Sequence, residues 1–359
     1  MRTESDSNPP HPPLSPVAGE RDGVRGEFSR GGKQMNRKAL HFFVVLALAF
    51  SFFPGDAWSA EYPTREVEFI VGFPPGSTVD HVGRLISKHA EKYVGKPIVV
   101  ANKPGGGGSR GFSSLAAAKP DGYTIGLVSS SAILQPYLMK GLTFHYKKSF
   151  RIISEIAYTA EGIYTKKGGP FDIPFPEIIK MAKEKPNTIK TGVGGTWTGS
   201  DVARFLLEDA TGAKFIRIPH PAGGQDLVPG ALGGHLNIAI GEGAQWAPLY
   251  TAGRFSVLAV STEKRDPRYP NIPTLKEMGY DVVFPVTFWV GAPAGTPDSI
   301  ITFWAEAFRK AVAEEGYKQA SDQAFNTASW AGPADSLKAI DTLDDTFQKL
   351  IKKYDLKPE

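Results

Sequence analysis

The sequence contains no cysteine. That excludes structural disulfides, cysteine-ligated zinc, iron–sulfur clusters and a thiol nucleophile, and it removes the lipidated cysteine that anchors a bacterial lipoprotein. Charge of one sign is lacking too: 41 Lys and Arg stand against 37 Asp and Glu, with no basic block. A nucleic-acid partner, which calls for cations gathered on one face, is therefore not expected. The longest apolar run, Ala39–Phe53, falls short of the roughly 20 residues that a membrane-spanning helix needs. No G-x-x-x-x-G-K-[ST] loop occurs, and His81, His89, His145, His220 and His235 include no pair at the i, i+4 spacing of a zinc helix. Nucleotide hydrolysis and a metal centre thus lack their devices, and no cofactor or metal is expected.

What is present is an ordinary globular composition, 41% hydrophobic and 22% charged over 359 residues, enough for two α/β domains. Residues 1–34 are proline-rich at their start and show no apolar periodicity, which predicts a disordered leader. Met35-Asn36-Arg37-Lys38, the apolar run behind it and the small residues around Ala57-Trp58-Ser59-Ala60 have the order of a secretory signal peptide over 35–60. Met35 then reads as the true start and 61–359 as the exported chain.

Within 61–359 the pattern alternates. Val67–Val71 reads as a strand. Val79, Val82, Leu85, Ile86, Ala90 and Tyr93 then recur at helical spacing up to Gly95. Strands are expected at 97–101 and 123–128 with a helix at 109–118 between them. The alternation restarts with strands at 188–193, 215–218, 236–240 and 257–260 and a helix at 200–211. A strand at 282–291 and helices at 298–316 and 335–353 complete it. Strands alternating with helices indicate mostly parallel sheets flanked by helices, in two units joined around 152–165 and 283–291.

Gly106-Gly107-Gly108-Ser109-Arg110-Gly111 matches G-x-G-x-x-G, but no acidic residue stands about 20 positions on to hold a ribose. Phe73-Pro74-Pro75-Gly76-Ser77-Thr78-Val79-Asp80 carries more. It joins the first strand to the first helix, where free helix amides attract anions. It reads equally as a plain turn with Ser77 or Thr78 as N-cap. Thr196-Trp197-Thr198-Gly199-Ser200 and His220-Pro221-Ala222-Gly223-Gly224 are corresponding loops of the second unit, and loops facing one another from two units would form a small-molecule cleft.

Asn102-Lys103-Pro104-Gly105-Gly106-Gly107-Gly108, Ala116-Ala117-Ala118-Lys119-Pro120-Asp121-Gly122-Tyr123-Thr124, Pro270-Asn271-Ile272-Pro273-Thr274-Leu275 and Ala292-Pro293-Ala294-Gly295-Thr296-Pro297 closely resemble, in order, runs of the tripartite tricarboxylate transporter receptors, or Bug proteins. The resemblance covers essentially all of 61–359. It implies a periplasmic solute receptor of two α/β domains, over 61–160 with 288–359 and over 161–287, with a hinge of two crossing strands. It also implies no catalysis, a small carboxylate as ligand, the membrane permease subunits of a tripartite transporter as partner, and a monomer.

The ligand residues then expected are Phe73, Pro75, Gly76, Ser77, Thr78 and Asp80 from the first loop, and Ser129 and Ser130 after the third strand. The second unit would add Thr196, Trp197 and Thr198, then His220, Ala222, Gly223 and Gly224, and Glu242. Asp80 is expected to organise its loop without touching the ligand, and Trp197 and His220 to set ligand choice, with Glu242 and Gln245 next in line. Ser77 departs from the family's P-G-G-x-x-D loop, as His220 and Ala222 do from its Y-x-G-G loop. A sensory receptor signalling to a membrane kinase and, from another class, a hydrolase are the alternatives.

Overall fold

The computed structural model describes residues 62–220, 224 and 226–358. The expected leader and signal peptide lie outside the described residues, as do Ala222 and Gly223. The strands are β1 (Val67–Val71), β2 (Ile98–Asn102), β3 (Thr124–Ser129), β4 (Phe150–Thr159), β5 (Glu161–Lys166), β6 (Lys190–Val193), β7 (Ile216–Pro219), β8 (Ile238–Glu242), β9 (Phe255–Val260), β10 (Val286–Pro293) and β11 (Thr327–Ala331). They form two sheets, ordered β11-β4-β10-β3-β1-β2 and β7-β6-β8-β5-β9. The flanking helices are α1 (Thr78–Val94), α2 (Ser109–Ala116), α3 (Ser131–Leu138), α4 (Tyr146–Ser149), α5 (Phe175–Glu184), α6 (Gly199–Thr211), α7 (Leu227–Leu232), α8 (Gly243–Thr251), α9 (Asp298–Ala313), α10 (Glu315–Gln323) and α11 (Pro333–Tyr354).

Both sheets are mixed, where mostly parallel ones were expected. β1 pairs parallel with β2 and β3, and β6 with β7 and β8. β10 runs antiparallel to β3 and β4, β11 to β4, and β5 to β8 and β9. The cause is the double crossing between sheets. β4 leads through Ala160 into β5, the chain returns from β9 to β10, and these segments enter each sheet against its βαβ strands.

β1 is the continuous apolar run that a sheet covered on both faces requires, with Val67, Phe69 and Val71 fully buried. α1 lays Val79, Val82, Ile86, Ala90 and Val94 against it and stops at Gly95, left-handed at φ 73°. Gly83 lets α1 sit close, since a Cβ there would stand 2.7 Å from Val71 Cγ2. α2 approaches closer still, because a Cβ on Gly111 would overlap the Gly72 Cα. The last glycine of the G-x-G-x-x-G run therefore serves helix–strand packing.

The expected helix 298–316 is two helices, because Glu314 is extended (ψ 136°) where α9 meets α10. Its carboxylate lies 2.7 Å from Lys92 Nζ and 2.8 Å from His89 Nδ1. α11 spans both halves of the molecule. Near its start the Ser336 Oγ accepts from the Glu155 N–H of β4 (2.9 Å), and at its end Tyr354 packs on Phe205 of α6.

Candidate functional site

Three helices begin around one small cavity. Ser77 caps α1, accepting from the Asp80 N–H at 3.2 Å. Thr198 and Glu242 occupy the N-cap positions of α6 and α8. The first amides of each helix have no partner inside it, so the positive ends of three helix dipoles converge. The cavity measures about 30 Å³, space for about one water molecule. Phe73, Val79, Ser129, Ser131, Val286 and Phe288 wall it from the first sheet; Glu161, Gly194, Thr198, Ser200, Glu242 and Gln245 wall it from the second. An open hollow of about 360 Å³ lies between Gly76–Thr78 and Gly224, Val228 and Gln245. Gln245 borders both spaces, and its amide lies so close to Gly224 and Gly241 that a Cβ on either would overlap it.

The first loop is tied together from within. The Asp80 carboxylate accepts from the Gly76 N–H (2.9 Å), Arg84 Nε (3.0 Å) and Asn102 Nδ2 (2.8 Å). Burial alone would raise this carboxyl, but the bonds from Arg84, Asn102 and Gly76 prevail and hold it below its ordinary value. The Ser77 hydroxyl donates to the Pro74 carbonyl at 2.8 Å while capping Asp80, so it is fully engaged within the loop. Pro75 and Gly76 are exposed, and Thr78 is buried.

Of the other expected residues, Phe73, Ser129, Thr198 and Glu242 line the cavity, and Gly224 borders the hollow. Ser129 Oγ is hydrogen-bonded to Ser131 Oγ at 2.8 Å, whereas Ser130 Oγ accepts from the Thr287 N–H at 3.3 Å. Thr196 is turned to Gly107, where a Cβ would stand 3.2 Å from the Thr196 carbonyl oxygen. Trp197 and His220 lie off the cavity wall. Trp197 is buried beneath its loop at φ 54°, with its backbone N–H donating to Asp201 Oδ2 (2.9 Å) and its ring edge-on to Phe205. The Arg217 guanidinium stands over that ring at 5.6 Å. His220 Nδ1 pairs with Asp226 Oδ2 at 2.8 Å.

Glu161 escaped the sequence reading. β5 pairs with β8 so that Glu161 stands opposite Glu242. Burial and the Glu242 charge push the Glu161 carboxyl well above its ordinary value. Burial likewise pushes Glu242 up to about 7, opposed by the hydroxyl of Thr78. The one sequence signal was a single acid at the end of each of two apolar strands, EGIYTK and IAIGE. No Lys, Arg or His lines the cavity among the described residues. Nor does any cluster of His, Asp and Glu able to hold a metal occur among them, or any helix long and apolar enough to cross a membrane.

The family model of the tripartite tricarboxylate transporter family receptor matches residues 82–356. A protein of Cupriavidus necator, "UPF0065 protein in gbd 5'region", is 30% identical over 273 residues, covering 76% of this chain and 82% of its own. Among solved structures, one described as a periplasmic transporter aligns with a TM-score of 0.76 at 27% identity, covering 82% of this chain and 99% of the other. An R. palustris protein with adipate has the same fold, with a TM-score of 0.76 at 23% identity over 83% of this chain and all of its own. The match over most of the described chain, with two mixed sheets meeting at one cleft, shows that this chain belongs to the tripartite tricarboxylate transporter receptor family, whose members are periplasmic binding receptors and not enzymes.

Proposed function

We propose that this receptor captures a small carboxylate between its two halves and delivers it to the membrane permease subunits of a tripartite transporter. One carboxylate end of the ligand would enter the inner cavity, and the rest would lie in the hollow outside Gln245. The observation that carries this reading is the convergence of three helix starts on a cavity walled from both sheets, since helix N-termini attract anions without help from Arg or Lys. At about 30 Å³ the cavity cannot take a whole di-acid, so the halves must part for entry. A ligand touching both halves then favours the closed arrangement.

The mobile bodies in this proposal are residues 61–160 with 288–359, and residues 161–287, hinged where β4 meets β5 and where the chain returns to β10. The receptor acts as an exported monomer. Mass spectrometry of ligand released from purified protein tests the ligand class, backed by a thermal-shift panel of mono-, di- and tricarboxylates that includes adipate. A released ligand without a carboxyl group, or a panel in which no acid raises the melting temperature, rejects the reading.

A further inference from the structure

The inner cavity presents two acids to a ligand that is itself an anion, and the geometry indicates how they are reconciled. Cross-strand partners in an antiparallel pair have Cβ atoms roughly 5 Å apart, so Glu161 and Glu242 share one end of the cavity. Glu161 is 1% exposed, and its Oε2 has no hydrogen-bond partner. α6 closes over it: a Cβ on Gly199 would stand 2.9 Å from Glu161 Oε1.

The surrounding charges do not neutralise the pair. On α6, Asp201 is bound to Arg204 (2.9 Å) and Arg217 (3.3 Å). On α1, Asp80 is bound to Arg84. On β5 itself the other titratable groups are Tyr164, whose hydroxyl is held un-ionised by burial and by the nearby Glu161, and Lys166, exposed at the far end of the strand. β3, α3 and β10 contribute to the wall only Ser129, Ser131, Val286 and Phe288.

A buried carboxylate without a cation is strongly disfavoured, and two side by side resist ionising together. One proton therefore stays with the pair. Glu242 is better placed for the charge, being partly exposed, at the start of α8 and within reach of the Thr78 hydroxyl. Glu161 is left as an un-ionised acid whose Oε2 has no hydrogen-bond partner in the protein.

We propose that Glu161 binds the ligand as a neutral acid, donating its O–H to the ligand carboxylate while Glu242 carries the negative charge of the pair. This rests on the carboxylate reading above. It assigns a side-chain donor to a site otherwise served by helix amides, and it couples carboxylate capture to a proton. Where the pair is already singly protonated no proton is needed. At higher pH each ligand bound takes one from solvent.

Titration calorimetry of succinate, malate, adipate and citrate into the purified protein, from about pH 6 to about pH 9 in buffers of different ionisation enthalpy, reads affinity and proton uptake together. The expected result is a level affinity at the acid end. Above the titration of the pair it falls about tenfold per pH unit, with about one proton taken up per ligand. Glu161→Gln keeps an N–H donor but cannot titrate. Its profile should be flat, and at about pH 9 it should bind more tightly than the wild type. If that variant does not fold, the wild-type profile decides. Acid binding with a flat wild-type profile overturns the role of Glu161 and leaves the carboxylate reading standing. Affinity that rises with pH beyond the acid's own ionisation also overturns it. If no acid binds at any pH, the carboxylate reading fails and this proposal with it.

Discussion

Tyr354, in the last turn of α11, rests edge-on against Phe205 of α6 with ring centroids 5.3 Å apart. Its hydroxyl and Lys353 Nζ both reach the Asp209 carboxylate. A helix rooted on the first sheet thus grips a helix of the second, next to the ring that supports the Trp197 loop. Tyr354→Ala should remove about 1 kcal/mol of aromatic contact and loosen the closed arrangement. Small-angle scattering should then show a larger ligand-free radius of gyration than the wild type's. An unchanged profile would mean that α11 rides with one half and does not strap the two together.

Asp80 holds three donors that fix the first loop. Asp80→Ala strands those donors, at a cost of about 1–3 kcal/mol, in a protein that still folds. Ligand affinity should fall because the loop amides lose their arrangement. Calorimetry showing wild-type affinity would remove Asp80 from the site.

Trp197 lies under its loop and not on the cavity wall. Trp197→Ala should therefore weaken every acid in a thermal-shift panel by a similar factor. A changed ranking among acids would instead mean that the indole reaches the ligand, as the sequence alone suggests.

The acid pair sets a pH dependence of stability even without ligand. Both carboxyls are raised above their unfolded value of about 4.3, so their neutral forms stabilise the fold most at low pH. That contribution is lost as pH rises through the folded values, near about 7 for Glu242. Glu242→Gln should flatten this fall, raising the melting temperature relative to wild type by about 2–6 °C at about pH 8 and by less at about pH 5. Equal shifts at both pH values would show that the pair does not share a proton.

Gly111→Ala should cost about 1–3 kcal/mol by overpacking α2 against Gly72, although alanine is the better helix former. Gly316, in α10, faces only His89 Cε1 at 3.4 Å. Gly316→Ala should be neutral or stabilising by up to about 1 kcal/mol. Chemical denaturation of both variants checks the contrast.

Much of the framework was legible in the chain, because its signals are local. The buried run Val67–Val71, the helical period from Val79 and the stop at Gly95 depend on neighbours a few residues apart. The motif runs pointed to the family for the same reason. β11, with its half-exposed TASWA, carries no such period. Nor does any local signal show that β5 and β10 run antiparallel to the strands beside them.

The sequence by itself determined the α/β alternation, the loops that open α1 and α6, and the class of receptor. Only the tertiary structure decided what those loops surround. It set Glu161 against Glu242 across a register between strands some eighty residues apart, turned Trp197 under its loop, and left His220 paired with Asp226 away from the cavity. A side chain's period along the chain reports which face it takes, whereas its partner across a sheet is chosen by packing of the whole chain.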